Sequence, residues 1–116
     1  MSIVFVYGSL KRGFYNHRLL ASSEYIADFV TEPRFTMYNY GAFPAVAEQG
    51  NTAIVGELFS VSTRVMDELD LLEGYPMLYN RIQLDTPHGA AWMYVINDVE
   101  PEPVIPGGIW MSKHED

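Results

Sequence analysis

Apolar residues occur along the chain in short runs, and one stretch has the spacing of an amphipathic helix. In the stretch 63–72 the apolar face consists of Val65, Leu69 and Leu72. Acidic residues occupy its other faces, as in a helix that packs one side against a core. Ser62 is a favoured N-cap residue, and Gly74 followed by Pro76 is typical of a helix end. The pattern therefore predicts one clear helix over this stretch.

The other apolar runs are shorter and predict β-strands. These runs cover residues 3–7, 24–32, 34–38, 45–47, 53–61, 78–84 and 90–96. Turn residues at 87–89 join the last two runs, which indicates a hairpin, and a further turn is expected at 49–51. Asn16 is a suitable N-cap for a second, short helix that ends near Ser23.

The predicted order of elements is strand, short helix, several strands, one helix and a hairpin. Because this is not a regular βαβ alternation, we expect an α+β fold with a curled, barrel-like sheet. A length of 116 residues fits a single domain over 1–116. From about residue 98 the chain is rich in proline and acidic residues, which predicts an irregular tail whose end Trp110 tethers to the body.

Charge and composition narrow the classes of partner and compartment. The chain has 7 basic and 15 acidic residues, a formal net charge of −8, which repels nucleic acids and anionic membranes. The absence of cysteine excludes disulfides and thiolate chemistry and suits a reducing cytosol. The longest apolar run, 90–96, is far shorter than the about 20 residues of a membrane span. No signal-peptide pattern precedes the first strand, so we expect a soluble, cytoplasmic protein.

The segment 8–13 follows the first strand and has two glycines five residues apart, which is the spacing of a phosphate-binding P-loop. A P-loop needs Lys and then Ser or Thr after its second glycine, but Phe14 and Tyr15 stand there. What remains is a turn whose backbone can approach a ligand and whose N–H groups can hold an anion or oxyanion. Three basic residues beside this turn form either a positive patch for an anionic group or a solvated loop: Lys11, Arg12 and Arg18.

Two other kinds of site are not supported by the residue spacing. Ser9 lacks the Gly-x-Ser-x-Gly pattern of an activated nucleophile, since Lys11 occupies the second glycine position, so we interpret it as a hydroxyl contact or turn residue. The histidines at 17, 88 and 114 are scattered without metal-ligand spacing. The sequence therefore predicts no metal and no cofactor.

Glu73 is the most informative acidic residue, because it stands at the end of the predicted helix beside Leu72 and Tyr75. A carboxylate there opposes the helix dipole at a cost of roughly 0.3–1 kcal/mol. Burial and the dipole would together raise its pKa, which suits a general base near neutral pH. The alternative is a solvated glutamate at a frayed helix end. Tyr79 and Arg81 follow shortly afterwards and are expected to line the same cavity.

These residues resemble a known family. The stretch 5–13, FVYGSLKRG, followed by Asn-His-Arg at 16–18, is similar to the N-terminal signature of the gamma-glutamyl cyclotransferase-like proteins. The resemblance is closest to the gamma-glutamylaminecyclotransferase branch with its short bacterial homologues. Further similar segments follow in the same order at 56–59, 69–70, 73, 78–81 and 89–95. Together they cover nearly the whole chain.

The resemblance implies a small mixed β-barrel flanked by helices, with a pocket between the signature loop and a carboxylate. It implies an enzyme, described as an acyltransferase or lyase, that cyclises a gamma-glutamyl amine or amino acid to 5-oxoproline. The acid/base role falls to Glu73. The expected substrate contacts are Tyr7, Gly8, Ser9, Leu10, Tyr79 and Arg81. No protein nucleophile is needed, because the substrate's own α-amine attacks the γ-carbonyl and needs mainly orientation.

The chain departs from the family pattern at 38–44 and after 97, which are the regions expected to recognise the leaving group. Two other functions stay open at this stage. One is a non-catalytic module that binds a small molecule in the same pocket. The other is an interaction protein that uses its acidic surface. The oligomeric state is left open.

Overall fold

The computed structural model describes residues 1–111 of the chain. Within this range the elements are, in order, β1 (Ser2–Val6), a 3₁₀ helix (Tyr15–Leu20), β2 (Glu24–Val30), β3 (Phe35–Asn39), β4 (Pro44–Thr52), β5 (Val55–Val61), α1 (Thr63–Glu73), β6 (Tyr79–Thr86) and β7 (Gly89–Ile96). This order agrees with the α+β arrangement that the apolar runs predict. No helix in the described range is long and apolar enough to cross a membrane.

Five of the strands form one mixed sheet in the order β2-β5-β1-β7-β6. Strand β1 lies at its centre, antiparallel to β5 and parallel to β7. Successive side chains of a strand point to opposite faces, and β1 accordingly supplies Val4 and Val6 to one apolar cluster and Phe5 to another, to which Tyr7 after the strand also belongs. The central strand thus joins two layers of core.

The helix α1 covers one face of this sheet. Its N-terminus is capped by Ser62, whose side chain accepts a hydrogen bond of 3.2 Å from the Val65 N–H. Its C-cap is Gly74 in a left-handed conformation, φ 66°, which favours glycine. The predicted helix is therefore confirmed. One residue of its apolar face was placed wrongly, because Leu72 is 44% exposed and the buried side ends at Leu69.

Strands β3 and β4 form a separate two-stranded sheet, and its β4 is longer than the run 45–47 suggests. The turn expected at 49–51 lies inside β4 as an irregularity in its pairing with β3. Ala47 lies opposite Thr36, but the next paired residue of β4 is Thr52, opposite Phe35, so residues 48–51 have no pairing partner in β3. The Thr36 hydroxyl donates to the carbonyl of Gln49 at 2.7 Å and holds this irregularity.

The sheets are not closed into the barrel that the resemblance implies. In the described part of the chain β2 and β6 are the edges of an open sheet, and β3 and β4 pair only with each other. The free edge of β3 is occupied by the tail instead. The Asn39 N–H donates to the Pro103 carbonyl at 2.7 Å, and the Ile105 N–H donates to the Met37 carbonyl at 2.8 Å.

The described part of the tail, from 97 to 111, contains no helix or strand beyond a single bridge of Val104 to β3. It is nevertheless fixed to the body. Trp110 packs against the second apolar cluster, and its carbonyl accepts a hydrogen bond of 2.8 Å from Lys11 Nζ. The Gly108 carbonyl accepts from the Val55 N–H at 2.9 Å.

Candidate active site

A cavity of about 430 Å³ opens where the loop after β1 meets the end of α1. Its size is within the range of small-molecule sites. It is lined by Phe5, Val6, Tyr7, Gly8, Ser9, Leu10, Tyr15, Asn16, Ala42, Phe43, Pro44, Leu72, Glu73, Leu78, Tyr79 and Tyr94. The structure therefore brings together six of the seven residues that the sequence assigned to a site.

The loop 7–10 is held in a compact turn. The Lys11 N–H donates to the Gly8 carbonyl at 3.1 Å, and Asn16 bonds Ser9 twice, at 2.8 Å each, through its backbone and its side-chain amide. A Cβ on Gly8 would lie 2.9 Å from Pro44 Cγ, so this position requires glycine for close approach. Within residues 1–111 the N–H groups of Gly8, Ser9 and Leu10 have no hydrogen-bond acceptor. They are available to a ligand.

Glu73 is the last residue of α1, and it lines the cavity. No residue in the described range 1–111 forms a hydrogen bond or ion pair with its carboxylate. Burial raises the pKa of Glu73 from 4.5 to about 7. This is the direction that its position at the helix end predicts. A carboxyl group with this pKa is partly ionised at neutral pH, so it can both accept and donate a proton.

Three buried tyrosines line the cavity together with Glu73. Burial raises the pKa of Tyr7, Tyr79 and Tyr94 above the ordinary value, and the negative charge of Glu73 contributes a smaller part of each rise. All three therefore remain protonated at neutral pH. Tyr7 donates to the Tyr94 carbonyl at 2.7 Å, whereas Tyr79 reaches the Pro44 carbonyl only at 3.4 Å. Of these two hydroxyls, that of Tyr79 therefore makes the weaker hydrogen bond.

Arg81 is the predicted site residue that the structure does not bring into the cavity. Its Nη1 lies 3.3 Å from Asp70 Oδ2, and its guanidinium lies over the rings of Tyr75 and Trp92, 4.3 and 4.7 Å from their centroids. The other carboxylate oxygen of Asp70 accepts from the Tyr94 hydroxyl at 2.7 Å. Arg81 therefore fixes a cavity-lining tyrosine through Asp70 instead of touching the cavity itself.

The basic residues beside the signature loop do not form a patch that faces the cavity. Lys11 is buried and donates to the tail. Arg12 lies 3.4 Å from Glu57 and 3.3 Å from Asp28, and Arg18 lies over the ring of Tyr15. None of the three lines the cavity.

Sequence reasoning missed Tyr94 and Asp70. Ala42, Phe43 and Pro44 also line the cavity, and they fall within the stretch 38–44 that was expected to recognise the leaving group. Tyr94 lies in a continuous apolar strand, and its partner Asp70 is 24 residues away on another element, so no local pattern pairs them. The available signal was the tyrosine itself, because a buried hydroxyl usually has a hydrogen-bond partner. As for metal sites, no group of three or more His, Asp or Glu side chains within 1–111 could hold an ion. His114 lies outside the described residues.

The chain was compared with known families and proteins. The family model described as gamma-glutamyl cyclotransferase, AIG2-like, matches residues 4–112. This chain belongs to that family. It is a gamma-glutamylcyclotransferase-type enzyme by membership, and the cavity contains the loop and the carboxylate on which the family resemblance rests.

Individual family members agree with this assignment. A Vibrio cholerae protein is 35% identical over 112 residues, which are 96% of each chain. The Escherichia coli gamma-glutamylcyclotransferase family protein YtfP is 32% identical over 111 residues, 95% of this chain and 96% of that protein. The crystal structure of a mouse AIG2-like protein superposes with a TM-score of 0.80 at 21% identity, covering 100% of this chain and 98% of that one. The mouse structure supports the fold.

Proposed function

We propose that this protein converts a gamma-glutamyl amine or amino acid to 5-oxoproline and releases the free amine, with Glu73 as general acid and base. The observation that carries the proposal is a carboxyl group with a pKa of about 7, unpartnered within the described chain, that shares one cavity with a loop of free N–H groups. A metal-free acyl transfer needs these two functions, a proton carrier and fixed donors for a developing oxyanion.

The steps balance without any further reactant. Glu73 takes a proton from the substrate's α-ammonium, and the free amine attacks the γ-carbonyl carbon to form a C–N bond. The carbonyl oxygen becomes an oxyanion, to which the N–H groups of Gly8 to Leu10 are suited as donors. Glu73 then returns its proton to the leaving nitrogen, and the original amide C–N bond breaks. The surplus proton of the new ring nitrogen passes to the released amine, which leaves as an ammonium ion. Because the nucleophile belongs to the substrate, orientation contributes much of the acceleration.

The other lining residues have supporting roles in this proposal. Tyr79, whose hydroxyl is weakly engaged, is a substrate contact. Tyr7 is a buried residue of the cavity lining, and its hydroxyl donates a hydrogen bond to the Tyr94 carbonyl. Arg81 becomes a positioning residue that acts through Asp70 on Tyr94.

The test is Glu73→Gln, which keeps the size of the side chain and removes the titrating group. We expect a loss of turnover by about 10²–10⁴-fold, measured as 5-oxoproline by mass spectrometry with a panel of gamma-glutamyl amines and dipeptides. Glu68→Gln is the matched control, because it removes the same charge from an exposed position on α1. Full activity of Glu73→Gln would contradict the assignment. A thermal shift by these compounds without any product from the unmodified protein would favour a binding module instead.

A further inference from the structure

Four large apolar side chains at the cavity are exposed to solvent. They are Tyr15 at 81%, Phe43 at 42%, Leu72 at 44% and Leu78 at 56%. They come from the 3₁₀ helix, the segment before β4, the end of α1 and the residue before β6. A contiguous set of exposed apolar side chains at the mouth of a cavity is typical of a ligand-binding surface. We call these four residues the apolar mouth.

The cavity contains only one charged side chain among the described residues that line it, and this is Glu73. In the proposed reaction Glu73 and the free N–H groups of the loop 7–10 are used by the glutamyl half of the substrate. Of the nearby cations, Lys11 bonds the tail and Arg12 bonds two carboxylates. Arg18 lies over the ring of Tyr15 at the rim and does not line the cavity. No fixed charge in the lining is left for the other half.

We infer that the apolar mouth binds the amine half of the substrate and that the enzyme prefers uncharged, apolar leaving amines. This inference rests on the proposed function and adds the leaving-group class to it. An alkyl or aryl group placed against Phe43, Leu72 and Leu78 gains free energy by leaving water. A terminal ammonium or carboxylate in the same place loses hydration without finding a partner of opposite charge.

The mouth is better explained as a substrate surface than as a protein-docking face, because it is continuous with the cavity. Each of its four residues lines the same cavity as Glu73. Leu71 and Met77 are more exposed, at 84% and 86%, but they do not line it. Leu78 thus lines the cavity, whereas its exposed neighbour Met77 does not, so substitutions at these two positions can be compared.

The first experiment compares three gamma-glutamyl amides of similar size, made from n-butylamine, 1,3-diaminopropane and β-alanine. They share the glutamyl half and differ in an apolar, cationic or anionic end. We expect kcat/KM for the butylamide to exceed both others by about tenfold or more, since the charged ends are unpaired in the mouth. Equal rates, or a faster charged amide, would overturn the inference and leave the proposed function standing. No 5-oxoproline from any of the three would overturn both.

The second experiment moves a charge into the mouth with Leu78→Glu and uses Met77→Glu as the control of equal charge. The measured quantity is the ratio of kcat/KM for the diaminopropane amide to that for the butylamide, which does not depend on the fraction of folded enzyme. We expect this ratio to rise about tenfold in Leu78→Glu, because a carboxylate there pairs with the ammonium, and to stay unchanged in Met77→Glu. An equal change in both variants, or none in either, would overturn the inference.

Discussion

The inner and outer halves of the cavity are built in different ways. In the inner half the backbone and side chains are fixed by hydrogen bonds, such as Asn16 to Ser9 and Tyr94 to Asp70. In the outer half the four side chains of the apolar mouth are exposed, and they are contributed by separate segments. Under the proposed function, this difference is expected, because proton transfer requires fixed geometry, whereas contact with an alkyl group requires only apolar area.

The division also has a consequence for variation within the family. The inner half coincides with the signature stretch 5–13 and with Glu73, and it includes the residues by which the family resemblance was found. Phe43 of the outer half lies within 38–44, where the chain departs from the family pattern. If the proposed function holds, leaving-group preference can change through the mouth without altering Glu73.

The largest stability effect expected from the inner half concerns the charge of Glu73. Its pKa is about 7 in the folded protein and about 4.5 in the unfolded chain, so the unfolded state releases its proton first as pH rises. The carboxylate therefore costs no stability at about pH 4 and progressively more up to about pH 7, reaching up to about 3 kcal/mol. We expect Glu73→Gln to be more stable than the unmodified protein at about pH 8 and equal to it at about pH 4.

Urea unfolding of both proteins at these two pH values measures this effect, with Glu68→Gln as the control whose exposed carboxylate should show no such gain. A Glu73→Gln protein without added stability at about pH 8 would mean that the carboxylate is well solvated. The inner and outer halves of the cavity would then not differ in their exposure to water.

A second effect concerns the close approach of the signature loop to β4. Gly8→Ala places a methyl group 2.9 Å from Pro44 Cγ and 3.0 Å from its Cδ, so the loop must move away. We expect a loss of about 1–3 kcal/mol in unfolding free energy and reduced turnover of every amide alike. Gly107→Ala is the control, because its added carbon would lie 3.9 Å from the nearest side chain. Changed amide preference without lost turnover would show that the loop belongs to the outer half.

The smallest effect is expected from Tyr94→Phe, which removes the hydrogen bond to Asp70 and leaves the ion pair with Arg81 in place. The free energy of unfolding should fall by about 1 kcal/mol, or by up to about 3 kcal/mol if the Asp70 oxygen is left without a hydrogen bond. Tyr38→Phe is the control, since no hydrogen bond of its hydroxyl occurs within the described chain. If Tyr94→Phe also leaves the relative rates of the three amides unchanged, the hydrogen bonds of the inner half do not determine leaving-group preference.

The sequence predicts α1 and the last hairpin well because their ends carry local signals. The N-cap predicted at Asn16 is wrong, since Asn16 lies inside the 3₁₀ helix, whose N-cap is Phe14 without a side-chain hydrogen bond. The limits of α1 follow from Ser62 and Gly74, and the pairing of β6 with β7 follows from the turn at 87–89. Leu72 was assigned to the core because helical spacing alone does not show where the buried side of the helix ends. The barrel was wrong because the tail, and not another strand, takes the edge of β3, and that pairing has no sequence pattern.

For the cavity, the placement of Glu73 and the loop 7–10 in one lining was predictable, and the contacts that support them were not. Glu73 and the loop 7–10 are marked by helix-end and turn residues, so local sequence shows them. Arg81 was misplaced because its distance along the chain from Glu73 is short, whereas its guanidinium is held by Tyr75 and Trp92 outside the cavity. Contacts between distant elements decide such placements.

The bond between Lys11 and Trp110 has a consequence for biosynthesis. Lys11, which directly follows the loop 7–10, donates to a carbonyl 99 residues later, and β1 also pairs with β7, the last strand of the described chain. During translation the N-terminal loop therefore cannot form its native contacts until residue 110 has been synthesised. Ribosome-bound chains that stop before residue 110 should be unable to release product, even though they already contain both the loop and Glu73.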